Sequence, residues 1–165
     1  PYRVYGLEKP DLELARRSFQ HRRVKRVGGW HQDEVKAARL GLTDQARSLV
    51  VANASRVAEG YRFPAMWGPN YDWIPDQCHG SVTVLAVQQM LLQSDPPSDQ
   101  VLLLPAWPKN WDVDFKLHAP KKTTVEGRVR KGKLVDLKVT PESRRKDVIV
   151  MDPSRNNKKE RESKQ

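Results

Sequence analysis

"SVTVLAVQQMLLQSDPPSDQVLLL", residues 81–104, holds the point at which the chain changes its period. Up to Gln93 apolar residues recur three and four apart: Val84, Val87 and Leu91 form a stripe with Leu85 and Leu92 beside it, and Ser81 stands where an N-cap belongs. This spacing predicts a well-buried helix. Beyond Pro96-Pro97 the period falls to two. "VLLL" at 101–104 reads as a buried strand, and Val113, Phe115, Leu117 and Ala119 alternate with Asp114, Lys116 and His118. Thr123, Val125, Gly127 and Val129 then face Val135, Leu137 and Val139 across a Lys131-Gly132 turn, the signature of a hairpin, and "DVIVM" at 147–151 supplies a last strand. The expected class is α+β: a helical unit over residues 1–94 and an antiparallel β unit over 95–151. The tail 152–165 has no strongly apolar residue and is expected to be solvated and disordered.

Toward the N-terminus the pattern stays helical. Asp11 is placed to cap "LELARRSFQHRR", in which Leu12, Ala15 and Phe19 share a face and the opposite face is basic. Gly28-Gly29 interrupts it. "WHQDEVKAARLG" resumes the period, with Gly41 as a left-handed terminator, and Thr43 caps "DQARSLVVANAS", whose Ala46, Leu49, Val50 and Asn53 lie on one side. Short links between these helices imply antiparallel neighbours in an all-α layer.

The net charge of +10 raises nucleic acid as a partner, but the distribution argues against it. Residues 1–60 carry 12 basic and 7 acidic groups, whereas residues 61–120 carry 3 basic and 6 acidic. The aromatics therefore sit among acids, and a groove that stacks bases needs cations beside its rings. No apolar run approaches the roughly 20 residues of a bilayer crossing. Cys78 is the single cysteine, so no internal disulfide can form, and no metal-finger spacing occurs. The opening Pro1, without a leader or initiator, suggests a piece of a longer chain.

Residues 56–80 lack a period and hold "GPNYDWIPDQCHG" at 68–80. A loop of this length is uncommon unless it has a task. Asp72 and Asp76 flank Trp73 and Pro75, so a stiff turn holds two carboxylates beside an aromatic face. Sugar rings offer C–H faces for stacking and hydroxyls for carboxylates, and glycoside hydrolysis needs paired acids. Trp67, Tyr71, Trp73, Asp72 and His79 thus become candidate substrate contacts, joined by Trp30 and His31 if the segment after the double glycine lines the same cavity. The bland alternative has the aromatics filling the gap between the helical and β units while the aspartates cap turns. Trp107 and Trp111 are most simply read as packing at that junction. Cys78 and His79 are adjacent on an extended loop and point apart, which disfavours a thiol nucleophile.

In order, "PDLELARRSF", "GGW", "AARLGLTDQA", "DQCHG", "MLLQ" and "LLLPAWPKNW" resemble the C-terminal region of glycoside hydrolase family 95, which contains inverting α-L-fucosidases. The resemblance covers about residues 5–140. Gly29-Trp30 matches the family's Gly-Trp, Met90 to Gln93 its Met-Leu-Leu-Gln helix, and Asp76 and Gly80 the ends of its Asp-Gly-Asn-Phe-Gly loop; Gln77, Cys78 and His79 replace the three residues between. The resemblance implies that residues 1–94 are the last helices of an (α/α)6 barrel, followed by a C-terminal antiparallel β-sandwich. It implies a catalytic role for Asp76, supporting groups that activate the attacking water, with the general-acid glutamate upstream of Pro1. The expected partners are an oligosaccharide or polysaccharide and the N-terminal part of the parent chain, with no cofactor and no metal. The parent is expected to be secreted or periplasmic. The competing expectation is a non-catalytic carbohydrate-binding or scaffolding protein on the same fold.

Overall fold

The computed structural model describes residues 4–26, 31–55, 77–95 and 98–151, excepting the side chains of residues 77–79. It is an α+β chain of two compact units that divide between Met90 and Leu91. The tail 152–165 lies outside the described residues, as do Gly28-Gly29 and Pro96-Pro97.

The first unit contains α1 (Leu12–His21), α2 (Asp33–Arg39), α3 (Thr43–Ala54) and α4 (Gln77–Leu91). In α1, Ala15 and Phe19 are buried four apart. Arg16 is buried with them, although the pattern places it on a basic outer face. Its Nε donates to Leu40 O at 3.0 Å and its Nη1 meets Glu13 Oε1 at 2.8 Å, so the aliphatic stem packs while the head finds acceptors. Asp11 takes a left-handed conformation and makes no side-chain cap bond. Thr43 also fails as a cap: it is the first residue of α3, and Leu42 occupies the cap position.

Gly41 behaves as its chemistry predicts. With φ +69°, it lets Leu42 N–H reach Ala37 O and Gly41 N–H reach Ala38 O, both at 3.0 Å, which is a Schellman closure of α2. Arg16 at Leu40 O and Leu7 N–H at Arg39 O occupy further carbonyls at this helix end. α2 and α3 then pack through Val35, Ala37, Ala38, Ala46 and Val50, all buried, and the alanines allow a close approach. Leu49 is only half-buried.

α4 departs from its sequence reading at both ends. It begins at Gln77, so Ser81 lies within it, and it tolerates Gly80 at a cost of about 1 kcal/mol because a long buried face follows. That face is Val82, Thr83, Ala86 and Met90; of the expected stripe Leu91 is buried, Val87 is half-buried and Val84 is 55% exposed, so the buried side is rotated from the expected one. With apolar residues on several sides of this helix and the polar Thr83 turned inward, periodicity gives little contrast. At the other end the chain leaves the helix early, and β1 (Leu92–Ser94) forms a strand where the pattern continues a helix.

β1 belongs to the second unit. It pairs antiparallel with β2 (Val101–Leu103), and β2 pairs in parallel with β6 (Val148–Val150), giving the order β1-β2-β6. The expectation of a wholly antiparallel unit is therefore corrected at β6. The long return through the intervening strands brings β6 in along the direction of β2, as an intervening connection of that length permits. The second sheet is a meander of β3 (Val113–Ala119), β4 (Thr123–Arg130) and β5 (Lys133–Thr140). Lys131 and Gly132 both have positive φ, as a tight hairpin turn requires. Val125 faces Val139 and Gly127 faces Leu137, as the alternation predicts. Val135 does not face Val129: a bulge beyond Arg128 puts Leu134 there and leaves Val135 59% exposed.

Trp107 and Trp111 meet inside this second unit. Their rings make an edge contact at 5.5 Å, and Trp107 Nε1 donates to Trp111 O at 3.0 Å. Arg144, in a 3₁₀ turn at Glu142–Asp147, ties the two sheets. It donates through Nε to Thr123 Oγ1 in β4 at 3.0 Å and through Nη2 to Asp99 O, just before β2, at 2.9 Å.

Candidate functional site

The expected sugar contacts fall on two stretches of chain, 30–31 and 67–79, and most of them are not described. Trp30, Trp67, Tyr71, Asp72, Trp73 and Asp76 lie outside the described residues. His79 is in the first turn of α4, where the backbone is helical from Gln77, so it belongs to a helix and not to the loop that precedes it. His31 is half-buried, two residues before α2.

What the described residues bring together is a polar cluster one turn beyond His31. Asp33 and Glu34 open α2, where acids favour the positive helix end, yet both are buried. Asp33 is neutralised: its Oδ2 accepts from Arg22 Nη2 at 2.9 Å and Nε at 3.0 Å, and its Oδ1 accepts from Lys36 Nζ at 3.4 Å. Glu34, 0% exposed, forms no ion pair among the described residues, although the Lys36 charge acts on it more weakly. Its Oε1 accepts from Asn53 Nδ2 at 2.9 Å, and the same nitrogen donates to Thr83 Oγ1 at 2.8 Å. α2, α3 and α4 each contribute one member. Burial pushes the Glu34 carboxyl above the usual carboxylate range; its backbone hydrogen bond and Asn53 pull against this, and the Asp33 charge adds to it.

Two atoms of this cluster, Glu34 Oε2 and Asn53 Oδ1, are buried without a hydrogen-bond partner among the described residues. Sequence reading did not find them. A glutamate in a helix first turn normally faces water, and only the apolar residues around it, Val35, Ala37 and Ala38, hint that this side of α2 is turned inward. Asn53 was placed on the inner face of its helix by spacing, but its acceptor could not be.

A groove of about 540 Å³ runs beside α1 and the start of α3, lined by Phe19, Arg22, Lys25, Asp44, Gln45 and Ser48 among others. Its aromatic is already engaged, since the Arg22 guanidinium lies 3.7 Å from the centroid of the Phe19 ring. The groove therefore offers hydrogen-bonding groups without an open stacking platform on that face. Among the described residues no group of three or more His, Cys, Asp and Glu is placed to hold a metal ion, and no helix is long and apolar enough to cross a membrane. Comparison with protein-family models, curated proteins and solved structures returned no match for this chain.

Proposed function

We propose that this chain is the C-terminal part of a carbohydrate-active protein of the family 95 kind: the end of an (α/α)6 barrel and a β-sandwich-like domain, acting on α-linked glycosides with inversion. The observation that carries the reading is the order of short motifs, from Gly29-Trp30 through Asp76 and Gly80 to Met90-Leu91-Leu92-Gln93 and the Trp107 and Trp111 segment. The α+β character, helices first and sheets after, is consistent with it. In this reading Asp76 supports the groups that activate water, and Trp73 stacks on a sugar face.

The two roles differ in kinetics. A carboxylate acting where charge develops affects turnover, so Asp76→Asn in the intact parent protein is expected to lower kcat by on the order of 100-fold with little change in affinity. A stacking ring contacts ground and transition states alike. Trp73→Ala should weaken sugar binding about 5-fold, roughly 1 kcal/mol, with kcat nearly kept. Steady-state kinetics on an α-linked fucoside, with calorimetric titration of the free sugar, checks both. Because Gln77, Cys78 and His79 replace the family's Gly-Asn-Phe, retention of sugar binding without any turnover would assign the chain to the non-catalytic class. Loss of neither binding nor turnover in the two variants would overturn the site.

A further inference from the structure

We propose that Glu34 is held as the neutral carboxylic acid and gives its Oε2 hydrogen to Asn53 Oδ1, closing an acid–amide clasp that joins α2, α3 and α4 and opens when the proton is lost. The Asn53 amide turns its nitrogen toward Glu34 Oε1, which accepts at 2.9 Å, and toward the Thr83 hydroxyl, which accepts here at 2.8 Å. Both hydrogens of Nδ2 are thereby used. Glu34 Oε2 and Asn53 Oδ1 are what remains, and both are buried without a partner among the described residues. If Glu34 were ionised, both would be acceptors with nothing to accept, at a cost of about 1–3 kcal/mol each, besides the cost of the buried charge. One proton on Oε2 supplies a donor for Oδ1, satisfies both orphans and removes the charge.

The charged surroundings favour the same state. On its own helix, Asp33 disfavours a second negative charge, while Lys36, paired with Asp33 at 3.4 Å, favours one to a smaller extent. Arg22, approaching from the segment after α1, is spent on the same Asp33. Arg16 of α1 is bonded to Leu40 O and Glu13, and Arg39 reaches Gln89 of α4 at 3.4 Å. α3 offers only Asp44 and Arg47 as charged groups, both exposed, and α4 carries no ionisable side chain from Gly80 to Leu91. Among the described residues none of these cations forms an ion pair with Glu34 itself.

The pH dependence follows in sign. The folded chain keeps a proton that the unfolded chain releases at the ordinary glutamate value, so the contribution to stability is full below that value and is lost as pH rises through the folded one. On ionisation the proton leaves to solvent, and Oε2 is left facing surroundings with no donor. Glu34→Gln reproduces the neutral acid: its amide nitrogen donates where the acid O–H did, and its oxygen still accepts from Asn53.

The test is thermal unfolding of the full chain between about pH 5 and about pH 8. Relative to Glu34→Gln, the wild type should lose about 4 °C across this range, while Glu34→Ala should melt lower than both at every pH. Infrared difference spectra of wild type against Glu34→Gln should contain the carbonyl band of a protonated carboxyl at neutral pH. A Glu34→Gln variant as unstable as Glu34→Ala, a wild type that gains on it as pH rises, or absence of that band would each overturn the clasp.

Discussion

At Gly41 a single missing Cβ closes a helix. An added methyl would meet Leu7 Cδ2 at 2.9 Å and would have to adopt φ +69°, so Gly41→Ala should destabilise the first unit by about 1–2 kcal/mol, read as a shift in the urea midpoint with unchanged slope. That position was legible because only glycine takes such a conformation cheaply. Arg144 was not, since nothing in "PESRRKDVIV" distinguishes it from Arg145, which is exposed. Only the fold decides that one guanidinium reaches Thr123, Asp99 and Asp147 together. Arg144→Ala should cost about 2–3 kcal/mol in the second unit, and Arg144→Lys should restore little, because one ammonium cannot span the same acceptors. Chemical denaturation of the three proteins checks the order. Glu34 was hidden for the opposite reason: its residue type and helix position both fit a solvated first-turn acid.

Elements were legible where the two faces of the chain differ in polarity. β3 alternates half-buried and exposed residues along its whole length, matching the pattern of Val113, Phe115, Leu117 and Ala119. α4 was located, but its face was not, because apolar residues lie on several of its sides and Val84 is exposed together with Ser81 and Gln88. β5 shows how a correct strand can still mislead. Its period-2 pattern points Val135 inward, whereas the bulge substitutes Leu134 opposite Val129. A bulge adds a residue without changing which residues are apolar, so composition cannot reveal it. Two substitutions separate the registers. Val135→Thr should change stability by less than about 0.5 kcal/mol, whereas Leu134→Ala should cost about 1–2 kcal/mol, measured by thermal or urea unfolding. Equal costs would favour the unbulged register. Gly127 fits the same sheet: a Cβ there would lie 2.7 Å from the Phe115 ring, so the ring occupies the space that glycine leaves open.

For the molecule as a whole, the sequence carries the order of helices before strands, because the period changes once and stays changed. It does not carry the parallel pairing, because β6 is three residues long and reads the same in either direction. The candidate site is legible only as a composition, acids beside aromatics between residues 67 and 79, and its chemistry rests on the motif order. The parallel pair also sets a schedule. β2 can pair early with β1, but its second partner β6 is made only after the β3–β5 meander, so the meander, built from neighbouring strands, can be completed while the chain is still being synthesised, and the three-stranded sheet cannot. Pulse-labelled amides of β4 should gain protection before those of β6 during refolding; simultaneous protection would show that the sheets form as one. On the ribosome, the β1–β2 pair must wait with one edge of the apolar β2 open until Val150 has emerged, and that interval, not the finished fold, is when this chain is most exposed to aggregation and most in need of a chaperone.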